Sequence, residues 1–95
     1  MVFLGQDWLE IMEEAEQAKR QMLVDREKGE AMFAALIHRF DRDGMVYFKR
    51  AEAYEGLGEL ALAREDFRCA LAFFPMLRWK RIAKEGLFRV EQKIN

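Results

Sequence analysis

The stretch from Gly44 to Pro75 constrains the fold of this 95-residue chain more than any other part of it. Apolar residues recur along it at spacings of three and four, the period of an α-helix that buries one face. The first set is Tyr47, Ala51 and Tyr54, and the second is Leu60, Ala63, Phe67, Ala70 and Phe74. Two glycines separate the sets, and the proline ends the second because it lacks a backbone N–H. The stretch therefore predicts two consecutive amphipathic helices.

Small and large residues alternate along these two sets. Ala51, Ala63 and Ala70 have no bulk beyond Cβ, so a neighbouring helix can approach closely at each of them. Tyr54 and Phe67 are large enough to fill the space that remains. We expect the two helices to pack against each other as a tight antiparallel hairpin.

This pattern resembles the tetratricopeptide repeat (TPR), a helix-turn-helix unit of about 34 residues. The positions that carry the resemblance are Tyr47, Ala51, Tyr54, Gly58, Ala63, Phe67, Ala70 and Pro75, all at the intervals of the family. The chain departs from the family at Arg50, where leucine is favoured, and at Ala51, where glycine is frequent. The resemblance implies an all-α fold of about five antiparallel helices in a right-handed TPR-like array, and a non-catalytic role in protein binding.

The residues before this hairpin also have helical periodicity. Asp7, followed three residues later by Glu10, has the pattern of a capping box, which predicts that the first helix begins at Asp7. Asp25 is a suitable N-cap for a second helix, and we therefore predict a break near residues 23–26. A single helix from Asp7 to Phe40 is the alternative, because the interval contains no proline.

The same residues are compatible with a degenerate second repeat at 8–41. In that alignment Ile11, Ala15 and Ala18 match the first set of the clear repeat, and Gly29, Phe33 and Leu36 match the second. Asp41 stands where the family has proline, so a helical hairpin of independent origin is the other interpretation. Either way, the second helix is expected to end at Asp41–Gly44, with Gly44 in the left-handed conformation that ends many helices.

A further helix is predicted after Pro75, with an apolar stripe that includes Trp79, Ile82 and Val90. In helical arrays a terminal helix with a polar outer side covers the last hairpin. The chain is thus expected to be one domain, 1–95. Its parts are an N-terminal segment (1–6), a helical hairpin or degenerate repeat (7–41), a TPR hairpin (44–75) and a capping helix (76–94).

Charge is distributed unevenly although the net charge is only −1. Residues 1–43 carry six basic and ten acidic residues, whereas residues 76–95 carry six basic and two acidic residues. Opposite charge at the two ends favours head-to-tail association, and solvated helix faces are the alternative explanation.

The location of the protein is inferred from cysteine usage and hydropathy. Cys69 is the only cysteine, which suits a reducing compartment. The apolar start MVFLG lacks the basic leader of a secretory signal. The longest uncharged apolar run, Cys69–Leu77, is too short to span a membrane. We expect a cytoplasmic protein without a membrane partner.

No pattern typical of an enzyme or a cofactor site is present in the sequence. His38 is the only histidine, and neither it nor Cys69 has a neighbour at a spacing suited to a catalytic pair or a metal site. Acidic residues such as Glu65 and Asp66 are expected to form solvated surface ion pairs. The segment Asp41–Gly44 lacks the later ligands of a calcium loop. We therefore expect no enzymatic activity, no cofactor and no metal.

The TPR resemblance implies a concave groove lined by the first helix of each hairpin. The residues at groove positions are Met12, Glu16, Met45, Phe48, Lys49, Glu52, Glu55, Trp79 and Ile82. Met45, Phe48, Trp79 and Ile82 form an apolar patch if they are exposed together. The alternative is that the last helix folds over Met45 and Phe48, which leaves a groove too short for a long peptide.

Two functions follow as expectations. The first is binding of a partner protein or peptide, or self-association as a homo-oligomer, through this groove. The alternative is binding of nucleic acid or another polyanion through the basic last helix. Glu85, Glu91 and the acidic N-terminal half oppose that alternative, so nucleic acid is the less favoured partner.

Overall fold

The structure is a computed structural model that describes the backbone of residues 4–94 and the side chains of residues 8–94. Within this range the chain forms five α-helices and no β-strand. They are α1 (Leu4–Val24), α2 (Arg26–Arg39), α3 (Gly44–Gly56), α4 (Leu60–Phe73) and α5 (Leu77–Ile94). The main packing contacts are α1 with α2 and α3, α3 with α4, and α4 with α5. The fold is therefore an all-α array of antiparallel helices. Its extents along the three principal axes are 47, 31 and 17 Å, so the array is flat.

The break predicted near residues 23–26 is present. Asp25 separates α1 from α2, and its carboxylate accepts a hydrogen bond from the Lys28 backbone N–H at 3.3 Å. The two backbones then approach closely, since a Cβ added at Gly29 would overlap the backbone of Met22. The alternative of one long helix is therefore excluded.

The predicted start of the first helix is wrong. α1 begins at Leu4, one turn before Asp7, so Asp7 is inside the helix rather than at its N-cap. The Asp7 side chain and residues 1–3 of the predicted N-terminal segment lie outside the described part of the chain. A cap pattern is a local signal, and the ends of a helix are its least sharply defined part.

The role predicted for Gly44 is also wrong. α2 ends at Arg39, and Gly44 is the first residue of α3 rather than a left-handed terminus. Asp43 is the N-cap, and its carboxylate accepts hydrogen bonds from the N–H groups of Met45 (2.9 Å) and Val46 (3.3 Å). Gly44 is suited to its place because Phe74 lies against it, and a Cβ there would come within 2.7 Å of the ring.

The hairpin of α3 and α4 has the predicted packing. Ala51, Ala63, Phe67 and Ala70 are fully buried, and Tyr54 is 8% exposed. Gly58, in the turn between the helices, has the positive φ of 80° that glycine adopts without strain. Small residues thus let the two helices approach while aromatic rings fill the gaps between them.

The last helix also agrees with the prediction. It follows Pro75 and buries Ala83, Gly86 and Val90 against α4. Gly86 accommodates the ring of Phe67, which occupies the space that a Cβ would need. No helix in the described part of the chain is both long enough and apolar enough to cross a membrane.

Candidate functional site

A continuous row of aromatic rings connects four of the five helices. Trp8 of α1 contacts Trp79 of α5 with ring centroids 5.3 Å apart, and Trp79 stacks on Phe74 at 5.7 Å. Phe74, which follows α4, contacts Phe48 of α3 at 6.0 Å, and Phe48 contacts Phe67 of α4 at 5.7 Å. Tilted and offset ring pairs of this kind stabilise the packing beyond the area they bury. The row fixes the ends of α1, α3, α4 and α5 relative to one another.

The packing around this row matches neither sequence expectation in full, because Met45 and Phe48 are buried but the rings that cover Phe48 come from α4 and its C-cap and not from the last helix. Met45 is only 2% exposed and Phe48 only 7%, whereas Trp79 and Ile82 are half-buried. Phe48 is covered by Phe67 and Phe74. Met45 and Phe48 therefore belong to the core and not to an open groove surface, which corrects their placement as exposed groove residues. Their burial depends on the end of α4, which spacing along α3 does not reveal.

Among the side chains of residues 8–94, a cleft lies beside the aromatic row. It has a volume of about 590 Å³ and lies between the start of α1, the start of α3 and the turn that joins α4 to α5. Its apolar walls are formed by Trp8, Ile11, Met45, Phe74, Met76 and Trp79. We call this the aromatic cleft. Met76 is 55% exposed at its lip, and Arg42 and Asp43 line it as well, so the cleft is apolar inside with one group of each charge among its lining residues.

The polar groove positions of α1 and α3 pair with one another. Lys49 lies 2.8 Å from Glu16, and Lys19 lies 3.1 Å from Glu52. The hydrogen bond from Lys49 lowers the pKa of Glu16 below its ordinary value. These four side chains are each 18–28% exposed, so they form a charged network that joins the two helices.

Glu55 joins α3 to α5 through a similar set of charged hydrogen bonds. Arg89 donates two hydrogen bonds to its carboxylate, at 2.6 and 2.8 Å, and Lys93 donates a third at 3.1 Å. The hydrogen bond from Arg89 lowers the pKa of Glu55, and the bond from Lys93 adds to this. Glu55, like Glu16, Lys49 and Glu52, is thus committed to contacts within the chain.

A second cavity of about 530 Å³ lies on the groove side of α1. Leu9, Met12, Glu13 and Glu16 line it from α1, and Lys49 lines it from α3. Met12, the remaining predicted groove residue, is therefore beside this cavity. The predicted groove is divided, with the aromatic cleft at one end and this charged cavity along α1.

The sequence pattern does not reveal a buried ion pair between Arg50 and Asp66. Arg50 donates two hydrogen bonds to Asp66, Nε to Oδ2 at 2.7 Å and Nη2 to Oδ1 at 3.0 Å. Asp66 is 4% exposed, so its placement among solvated surface ion pairs is wrong. Burial raises the pKa of Asp66, and the hydrogen bonds from Arg50 oppose that rise. The available signal was Arg50 itself, a cation at a position where the resembled family favours leucine.

The single histidine and the single cysteine of the chain lie on α2 and α4, two helices that do not contact each other. His38 is exposed on α2. Cys69 is half-buried on α4, and burial raises the pKa of its thiol, which keeps it protonated and weakly nucleophilic. Within residues 8–94, no three His, Cys, Asp or Glu side chains are placed to hold a metal ion.

Comparison of the chain with protein-family models, with curated proteins and with solved structures gave no match. The feature that most resembles a binding site is the aromatic cleft, because it combines an apolar interior with large side chains from several helices.

Proposed function

We propose that this chain is a non-catalytic, TPR-type interaction module of the cytoplasm that binds a short apolar segment of a partner protein in the aromatic cleft. The observation that carries the proposal is the cleft itself, about 590 Å³ of apolar space open to solvent. That volume is typical of ligand pockets and holds one or two large side chains. At many protein interfaces, a few large side chains of one protein, buried in a pocket of the other, contribute most of the affinity.

Two features of the fold support the TPR interpretation. Both hairpins have small or absent side chains where the helices cross, at Gly29 in the first and at Ala63 and Ala70 in the second. The first helix of the second hairpin, α3, packs on α1, so the hairpins stack side by side as repeats do. The degenerate repeat and the independent hairpin remain alternative origins for α1 and α2.

A short partner segment is favoured over a long one. Met45 and Phe48 are buried, and the carboxylates of Glu16 and Glu55 already have cationic partners. A long peptide in the groove would have to break these contacts, whereas an apolar side chain can enter the aromatic cleft without disturbing them.

Polyanion binding through α5 has less support from its side chains. Lys80 donates a hydrogen bond to the Leu71 carbonyl at 2.7 Å, and Arg89 and Lys93 are paired with Glu55. The basic residues of α5 that remain are Arg78, Arg81 and Lys84. Three cations give only weak, strongly salt-dependent attraction to nucleic acid. Retention on mixed nucleic acid that declines steeply with added salt would favour this alternative.

Selection from a displayed library of random short peptides tests the proposal. We expect the selected peptides to share a large apolar residue and to lose at least about tenfold in affinity for Met76→Glu, because a carboxylate at the lip of the cleft opposes apolar burial. Leu77→Glu is the matched control, since Leu77 is the next residue, is 82% exposed and does not line the cleft.

Three results of this selection would contradict the proposal. One is that no peptide is selected. Another is that selected peptides have no apolar residue in common. The third is equal binding by the wild type and Met76→Glu when circular dichroism shows both proteins folded.

A further inference from the structure

The outer face of α5 carries exposed apolar residues with cations between them. Leu77, Arg81, Lys84 and Phe88 follow one another at spacings of four, three and four, which places them on one side of the helix. Leu77 is 82% exposed and Phe88 is 63% exposed. Neither apolar residue contributes to the core of the domain, so this face is a surface suited to contact with another protein.

The cations of this face have no partner among the described residues. The ion pairs of α5 are made by other residues, Arg89, Lys93 and Glu91, and Lys80 binds a backbone carbonyl. Arg81 and Lys84 are exposed and outside these contacts. A protein that covers Phe88 would therefore gain from acidic groups placed beside it.

The exposed face of α1 that borders the charged cavity has the complementary composition. Leu9 is 55% exposed, and Glu10 and Glu13 beside it are exposed. Within residues 8–94, the acidic ion-pair partners on α1 are Glu14 and Glu16, so Glu10 and Glu13 are not among them. Leu9 and Glu13 are one helical turn apart, as are Phe88 and Lys84.

We propose that the outer face of α5 docks on this cavity-side face of α1 in a second copy of this chain. In an antiparallel arrangement Phe88 lies against Leu9 while Lys84 lies against Glu13, so apolar and ionic contacts form in the same register. The occupant is a second copy because the chain itself carries both complementary faces, one on its acidic half and one on its basic end. The contact does not involve the aromatic cleft and does not depend on the function proposed for it.

Charge reversal on each face tests this contact. We expect light scattering of the wild type at low salt to give a mass above the 11.3 kDa of one chain, rising with protein concentration. Glu10→Lys/Glu13→Lys and Arg81→Glu/Lys84→Glu should each be monomeric alone, because like charges then face each other. Mixing the two variants restores opposite charges across the contact and should restore the larger mass.

The apolar half of the contact is tested separately. Phe88→Ser should lower the association constant at least about tenfold, whereas Leu62→Ser, on an exposed part of α4, should leave it unchanged. A wild type that stays at 11.3 kDa at every concentration, or a mixture of charge variants that stays monomeric, would overturn the proposal. Assembly that persists in both charge variants would overturn it as well.

The two proposals can fail independently. Phe88→Ser should weaken self-association and spare peptide binding, whereas Met76→Glu should weaken peptide binding and spare self-association. Loss of both activities in one of these variants, with the fold retained, would contradict the separation of the two surfaces.

Discussion

The Arg50 guanidinium donates two hydrogen bonds to the Asp66 carboxylate, and the pair joins α3 to α4 in the interior of the second hairpin. Arg50 also lies 5.6 Å from the ring centroid of Tyr47 and 6.0 Å from that of Tyr54. The guanidinium therefore binds the Asp66 carboxylate and also makes cation–π contacts with two tyrosine rings. This geometry fixes the position of α3 relative to α4, even though the cost of desolvating the two charges offsets much of the attraction between them.

Removal of Arg50 is the sharpest test of this pair. We expect Arg50→Leu to lower the free energy of unfolding by about 3 kcal/mol, because it leaves a buried carboxylate without a cation. Adding Asp66→Asn should recover at least about 1 kcal/mol of that loss, since the unpaired charge is then gone. Urea unfolding of the two single variants and the double variant measures the coupling.

The matched control is an exposed ion pair. Arg39 and Glu14 join α2 to α1 at 3.0 Å, but their side chains are 54% and 45% exposed. Arg39→Leu should lower the free energy of unfolding by no more than about 1 kcal/mol. Equal losses for Arg50→Leu and Arg39→Leu would show that the buried pair does not have the role assigned to it.

The crossing of α1 and α2 requires glycine at position 29. Alanine normally stabilises a helix by about 1 kcal/mol relative to glycine. We expect Gly29→Ala to destabilise instead, by about 2 kcal/mol or more, because its Cβ would overlap the Met22 backbone, which cannot move aside like a side chain. Thermal unfolding followed by circular dichroism measures the change.

Gly56 provides the comparison for this substitution. A Cβ at Gly56 would lie 3.1 Å from the Leu23 Cδ2 atom, at the end of a flexible and exposed side chain. Gly56→Ala should therefore change the free energy of unfolding by less than about 0.5 kcal/mol in either direction. A stable Gly29→Ala variant would contradict the close approach of α1 and α2.

The two phenylalanines Phe48 and Phe88 should respond very differently to truncation. Phe48 is 7% exposed within the aromatic row, and Phe48→Ala should destabilise by about 3–5 kcal/mol. Phe88 is 63% exposed, and Phe88→Ala should change stability by less than about 1 kcal/mol. Chemical denaturation of monomeric samples measures both, and a loss below about 1 kcal/mol for Phe48→Ala would place Phe48 in an open groove after all.

Acid should weaken the domain through Glu55. Its pKa is lowered in the folded protein by hydrogen bonds from Arg89 and Lys93, whereas in the unfolded chain it has the ordinary value of 4.5. The stabilisation is therefore fully present above pH 4.5 and is lost as the pH falls through the folded pKa. Denaturant unfolding measures the free energy of unfolding of the wild type and of Glu55→Gln across this pH range. The difference between the two proteins should become smaller as the pH falls. A difference in the free energy of unfolding that does not change with pH would contradict the contacts of Glu55 with Arg89 and Lys93.

Much of the fold could be predicted from local sequence signals. The spacing of Ala51, Ala63 and Ala70 predicted the crossing of α3 and α4, and Asp25 predicted the break between the first two helices. Pro75 correctly separated α4 from α5. These features depend on residues near one another in sequence, where helical period and capping chemistry act directly.

The site was less predictable because it depends on contacts between distant residues. The burial of Phe48 requires Phe74 and Phe67, and the burial of Asp66 requires Arg50 from another helix. The position of a residue along one helix predicts which side of the helix its side chain lies on. It does not predict which residue of another helix that side chain contacts. The aromatic cleft lies between three segments of the chain, so no single periodic pattern could reveal it.

The fluorescence of the two tryptophans tests most directly whether the aromatic cleft is the binding site. Trp8 and Trp79 are the only tryptophans of the chain, both line the cleft, and their rings are 5.3 Å apart. Titration with a selected peptide that lacks tryptophan should shift their emission with the same dissociation constant that calorimetry gives. Binding seen by calorimetry with no change in that emission would place the partner elsewhere and contradict the account.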